Sequence, residues 1–185
     1  MSGWRKRQIA DSVDKDINVG PTIYLDMDDV VADWQGYVEE MLDHKFAKDE
    51  RLPDGKWRRL KDNQRLYSEL PVRAGAVELV KWVTEYANAT GGNVHFLSAI
   101  PKGNDMPWAP QDKVFWAQQY FPHIPVFLGP YASEKHMHCR NPGDILIDDR
   151  RSNCEEWIAA GGRAHQYKEW PECKVWLEET LGSKE

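Results

Sequence analysis

The sequence predicts a parallel α/β sheet with helices on both faces and a small helical cap inserted after the first strand. Three observations carry this. Five short apolar segments have strand character: Thr22–Leu25, Val94–Leu97, Pro125–Leu128, Asp144–Ile147 and the more weakly patterned Arg163–Tyr167. Helical patterns lie between them, and such alternation favours parallel strands joined by helical crossovers. One charged stretch, 34–72, interrupts the rhythm between the first strand and the next core helix.

Taken in order, residues 1–20 read as a polar extension, expected to be partly disordered, with a basic start and then Asp11, Asp14 and Asp16. Thr22–Leu25 is short and apolar. The stretch 34–72, which includes LPDGKWRRLKDNQRLY, is placed as a mostly helical cap over the carboxyl edge of the sheet, leaving 21–33 and 73–185 as the core. Ala76, Val80, Val83 and Ala87 share one helix face, and Gly91-Gly92 ends that helix. Lys113–Tyr120 carries Val114 and Ala117, with Phe115 and Trp116 broadening its apolar side. Ser152 and Glu155 have capping-box spacing at the start of a helix that stops at Gly161-Gly162. Pro171 suits the first turn of a last helix containing Val175, Trp176 and Leu177.

Composition narrows the function classes. The chain has 185 residues, 41% of them hydrophobic and 29% charged, which suits one globular domain with a small insertion. A net charge of −6 argues against a binder of long nucleic acid, which needs a basic face. No apolar run reaches membrane-spanning length, and the N-terminus lacks the apolar core of a signal peptide. Cys139, Cys154 and Cys173 are widely spaced and odd in number, so they read as reduced thiols. The cytosol, of a cell or of an infected host, is the expected location. A homodimer is compatible with the chain, which does not fix its oligomeric state. Of the nine tryptophans, Trp116, Trp157 and Trp176 sit in helical patterns and are expected in the core. Trp34, Trp57 and Trp108 lie in polar surroundings that suit a binding surface.

The segment Thr22–Asp33 reads TIYLDMDDVVAD, an apolar strand running into Asp26, Asp28 and Asp29. Crowded carboxylates repel one another unless a cation or proton relieves them, so folding alone does not favour this arrangement. Mg²⁺ is the natural occupant, because it takes oxygen ligands and keeps several waters. One carboxylate then serves as nucleophile and the other as acid/base; the plain alternative is an acidic turn. The second strand leads to Ser98, the third is followed by Lys135, and the fourth ends in Asp148, Asp149 and Arg150. In one parallel sheet these groups meet at the carboxyl edge, where ligands bind. Acids, a hydroxyl and a cation together suit phosphoryl transfer.

This order of motifs resembles the haloacid dehalogenase superfamily, a group of Rossmann-like phosphatases and related enzymes, and within it the 5'(3')-deoxyribonucleotidases most. The similar pieces are LDMDDVVADW at 25–34, ELPVRAGAVELV at 69–80, VHFLSAI around Ser98, QDKVFWAQQYF at 111–121, SEK at 133–135 and DILIDDR at 144–150. The resemblance implies a Mg²⁺-dependent phosphatase acting on a small-molecule nucleotide. It implies that Asp26 attacks phosphorus and that Asp28 is the acid/base. It further implies that Asp26, the Asp28 backbone carbonyl and Asp149 hold Mg²⁺, with Asp148 supporting. Ser98 and Lys135 would hold phosphate oxygens, and Lys113 and Arg150 would add charge nearby. Trp34 stands at the family's base-stacking position, with Trp57 and Tyr67 as further candidates.

The chain departs from that pattern twice. Asp29 replaces the glycine common after the paired aspartates, and IPKGNDMPWAPQD at 100–112 is unusually rich in Pro, Gly and Trp. Three other readings compete. A phosphoacceptor receiver module has its acidic pair first and its phosphorylated Asp mid-chain, which does not fit here. A phosphatase of the same superfamily acting on sugar phosphates or nucleic-acid ends fits the chemistry equally. A non-catalytic nucleotide binder is disfavoured because every catalytic position is filled. His136, His138 and Cys139 match no standard zinc spacing.

Overall fold

The computed structural model describes residues 20–47, 50, 52–101, 105–129 and 131–182. The predicted polar extension lies outside them except for Gly20, as do residues 102–104 of the segment after Ser98. Strands β1 (Thr22–Leu25), β2 (Asn93–Ala99), β3 (Val126–Gly129), β4 (Ile145–Asp148) and β5 (Arg163–Gln166) form one parallel sheet in the order β3-β2-β1-β4-β5. All five predicted strands are present, with no end shifted by more than two residues. The largest shift extends β2 past Leu97, so Ser98 sits inside the strand and is fully buried.

Alternation along the strands divides the apolar residues between two faces. Ile23, Leu25, Phe96, Ile145 and Ile147 join the main core, to which α3 (Ala76–Thr90), α4 (Ala109–Tyr120) and α6 (Trp170–Leu181) contribute. Tyr24, Leu97 and Leu146 form a smaller cluster with Trp157 of α5 (Arg151–Ala159). Burying one such side chain contributes ~1.5–3 kcal/mol, so the larger face dominates the stability of the sheet. Helix α3 is held as its pattern predicts. Ala76, Val80, Val83 and Ala87 are all buried, and Gly91 closes the helix at φ 71°, a left-handed conformation that glycine adopts without a steric penalty.

Between β1 and α3 the chain forms α1 (Trp34–Leu42), α2 (Asp54–Asp62) and a 3₁₀ turn at Leu66–Ser68. Its exit and return run side by side. The Asp33 amide donates to the Pro71 carbonyl, and the Arg73 amide donates to the Val31 carbonyl, both at 2.9 Å. The buried Trp116 of α4 ties in the return by donating its indole N–H to the Leu70 carbonyl at 2.7 Å.

Three local expectations need correction. The helix expected from Lys113 begins at Ala109, because Pro110 fits a first turn that needs no amide donor, so the last part of 100–112 is helical. Ser152 does not cap α5. That helix already starts at Arg151, because the Asp148 carboxylate accepts the Arg150 amide at 2.9 Å and fixes the turn after β4. Trp176 is only partly buried, stacked on His165 with ring centroids 5.0 Å apart.

Candidate functional site

The sheet reverses its strand order between β1 and β4, and the carboxyl ends of these two strands are where a parallel α/β sheet opens a crevice. The Asp26 amide donates to the Ile147 carbonyl at 2.9 Å, which sets the β1 acids beside Asp148 and Asp149. A cavity of about 550 Å³ opens there. Asp26, Asp28, Asp29, Lys135, Asp149, Arg150 and Asn153 line its floor, and Trp34, Phe46, Trp57 and Tyr67 line the wall supplied by the segment after β1.

A compact turn presents the first acids. The Met27 carbonyl accepts the amides of Val30, Val31 and Ala32 at 3.3, 3.0 and 2.8 Å, while Val30, Val31 and Ala32 are buried. Asp29 completes the turn at φ 60°, a left-handed conformation that aspartate tolerates better than most residues.

Asp26, Asp148 and Asp149 are buried, and one carboxylate oxygen from each lies within 4.8 Å of the others. Among the described residues this is the one acidic, histidine or cysteine group with metal-ligand spacing. Lys135, itself buried, reaches Asp26 at 2.7 Å and Asp148 at 2.6 Å. Burial opposes the Lys135 charge, but the two carboxylates outweigh it and raise its pKa. Asp26 is pushed well above the ordinary carboxylate range, first by burial and then by Asp148, Asp149 and Asp28, against the pull of Lys135. Asp148 moves the other way. Burial would raise it, but Lys135, the Arg150 amide and Asn153 together lower it. Both Asp148 oxygens are therefore engaged by protein donors, which suits a supporting role.

Asp26, Asp148 and Asp149 gather carboxylate oxygens out of water, with Lys135 bound to the first two. A hard divalent cation fits that donor set. Adding Mg²⁺ to metal-free protein is expected to raise its Tm, because a ligand at roughly a hundred times its Kd stabilises the folded state by ~2.7 kcal/mol. Asp149→Ala should remove most of that increment in differential scanning calorimetry. An equal Mg²⁺ shift in both proteins would place the ion elsewhere.

Asp28 belongs to a second group. Lys113, buried on α4, lies 2.5 Å from Asp28 Oδ2 and 2.9 Å from Ser98 Oγ, and 4.4 Å from the centre of the Tyr67 ring. Lys113 and Ser98 do not line the cavity; both stand behind Asp28. Asp28 Oδ1 is shielded from solvent and accepts no hydrogen bond from the described residues. Burial, reinforced by Asp28, pushes the Tyr67 phenol above its usual value, so it stays neutral.

Trp34, Trp57 and Tyr67 reach the cavity, as does the exposed Arg150. Trp108 does not; it precedes α4 and packs against the main core. Lys61 of α2 pairs with Asp105 at 2.7 Å, and Ile100 and Pro101 of the segment after β2 line the cavity. His136 and His138 lie in a 3₁₀ run at Ala132–His138.

Two lining residues carried little signal in the sequence. Asn153 clamps Asp148 through two 3.0 Å contacts, and a helix-start asparagine after Asp-Asp is its only clue. Phe46 meets Trp34 edge-on at 6.1 Å, a contact that depends on the path of the segment.

No protein-family model matches the sequence, and no curated protein matches it. Among solved structures, the chain is similar to a hydrolase from Pseudomonas syringae, at 12% identity and a TM-score of 0.44, covering 86% of this chain and 99% of that one. It is also similar to a hydrolase from Streptococcus pneumoniae TIGR4, at 13% identity and a TM-score of 0.43, covering 85% of this chain and 97% of that one.

Proposed function

We propose that the protein is a Mg²⁺-dependent phosphatase that hydrolyses nucleoside monophosphates, with deoxynucleotides preferred. The observation that carries this reading is the joining of two different surfaces in one cavity. Its floor holds paired carboxylates with a buried lysine, and its wall holds Trp34, Phe46, Trp57 and Tyr67. The floor suits a phosphomonoester and the wall suits a planar base. The segment 34–72 then acts as the cap that supplies the base side of the pocket. Three free cysteines suit a cytosolic setting.

In this mechanism an Asp26 oxygen attacks phosphorus, the phosphorus–oxygen bond to the nucleoside breaks, and an aspartyl-phosphate forms. Asp28 gives its proton to the departing alkoxide. Asp28 then takes a proton from water as that water attacks phosphorus, and the Asp26 carboxylate is released. Asp26, Asp149 and the Asp28 carbonyl would hold Mg²⁺, which when bound neutralises phosphate oxygens. Lys135 favours the ionised form of the Asp26 carboxylate and holds it in place. Lys113 holds Asp28 and Ser98 together from behind the cavity.

Phosphate release across nucleoside monophosphates, sugar phosphates and glycerol phosphate, with Mg²⁺ or with excess chelator, tests the reading. Release should require Mg²⁺ and favour nucleotides. A stacked base contributes ~1–3 kcal/mol, so Trp34→Ala should lower kcat/KM for nucleotides by roughly tenfold or more and affect glycerol phosphate much less. Equal losses on both substrates would make Trp34 a packing residue and remove the case for a nucleotide.

A further inference from the structure

We propose that Asp29 is a positioning residue that locks the aromatic wall of the cavity to the catalytic turn, and so sets the spacing between phosphate and ring that the site accepts. The clamp is read from geometry alone, and its consequence for selectivity rests on the nucleotide reading above. Asp29 follows Asp28 directly, is buried, and extends its side chain away from the turn toward α1. Its Oδ1 accepts the Gln35 amide at 2.8 Å. Arg73, on the returning chain, lies 3.6 Å from the same oxygen and 3.5 Å from Asp33. One buried carboxylate thus joins the acid/base turn, the start of α1 and the chain that returns to the core.

The wall is built outward from that point. Gln35 is the second residue of α1 and is adjacent to Trp34. Its side chain donates to the Phe46 carbonyl at 2.9 Å and to Glu39 at 3.1 Å, and Phe46 lies against Trp34. A shift of the α1 start relative to Asp29 therefore moves Trp34 and Phe46 together. The helix already has an ordinary cap, because Asp33 accepts the Gly36 amide at 3.3 Å. Asp29 adds a second acceptor from outside the helix. Its negative charge is matched by the Gln35 amide at the start of α1 and by Arg73. A plain helix cap would stabilise α1 without favouring one substrate over another.

Two variants separate these roles. Asp29→Gly keeps the left-handed turn, since glycine adopts it freely, and removes the acceptor. Asp29→Asn also tolerates that conformation and keeps an Oδ1 acceptor. Kinetics with a deoxynucleoside monophosphate and with glycerol phosphate, which has no ring, should show the ratio of the two kcat/KM values falling about tenfold in Asp29→Gly. The nucleotide KM should rise, and Asp29→Asn should recover most of the ratio. Hydrogen exchange on the metal-free, substrate-free protein supplies a readout independent of activity. The Gln35 amide should exchange about tenfold faster in Asp29→Gly and near the wild-type rate in Asp29→Asn. Unchanged exchange in Asp29→Gly overturns the clamp, and faster exchange with an unchanged substrate ratio overturns its role in selectivity. If the wild-type protein hydrolyses neither substrate, the nucleotide reading and the selectivity role fail together, while exchange at Gln35 still decides whether the clamp exists.

Discussion

Asp26→Asn is expected to abolish phosphate release while leaving the protein folded. The amide matches the carboxylate in size, and its carbonyl oxygen can still accept the Met27 amide that Asp26 accepts at 2.8 Å. It cannot form the bond to phosphorus, and loss of a nucleophile reduces turnover on the order of 10⁶-fold where all catalytic parts act as a unit. Stability should move the other way. Burial and three neighbouring carboxylates raise the Asp26 pKa in the folded state. Whatever that raised pKa contributes is present at low pH and is lost as the pH rises through it. The ionised form of Asp26 is therefore a burden in metal-free protein, and Asp26→Asn should melt at or above the wild-type Tm. Normal phosphate release by the variant would end the proposal for Asp26, and a collapse in Tm would show that the charge is structural.

Lys135→Met should have the largest effect on stability. It removes the ammonium between Asp26 and Asp148 and leaves both carboxylates buried without it. Breaking a buried pair from one side costs ~3–5 kcal/mol, readable as a shift in urea midpoint with an unchanged slope. The raised Lys135 pKa gives the sign with pH. Its contribution is fully present below the unfolded-state lysine pKa and is lost only as the pH rises through the folded-state value, so the whole deficit should appear at neutral pH. Mg²⁺ should restore part of the loss by supplying positive charge to the same acids. A change below ~1 kcal/mol would show that water screens the cluster.

What the sequence made legible follows from which interactions are local. Strand β1 and the acids after it are consecutive, so their meeting at one edge required only the parallel sheet, as for Asp148 and Asp149 at the end of β4. Helix α3 shows its buried face directly in its spacing. Lys113 was harder to read. Its position at the first turns of α4 was visible, but its burial between Asp28, Ser98 and Tyr67 depends on how α4 and the Leu66–Ser68 turn pack together. The Asp29–Arg73 contact joins residues far apart in sequence through the side-by-side exit and return of the segment after β1. Trp108 was misread because its polar neighbours in sequence are not its neighbours in space. Ser152 matched a capping pattern, but Asp148 set the helix start first.

The most direct test of the proposed chemistry traps the covalent step. Asp28→Asn protein should still be phosphorylated but should lose its acid/base help, slowing turnover by ~10²–10⁴-fold. It is mixed with Mg²⁺ and a deoxynucleoside monophosphate, quenched in acid and mapped by peptide mass spectrometry. The expected result is one phosphoryl group on the peptide that contains Asp26, absent when chelator replaces Mg²⁺ or when Asp26→Asn is combined with Asp28→Asn. Continued phosphate release with an unmodified Asp26 peptide would contradict a nucleophilic Asp26.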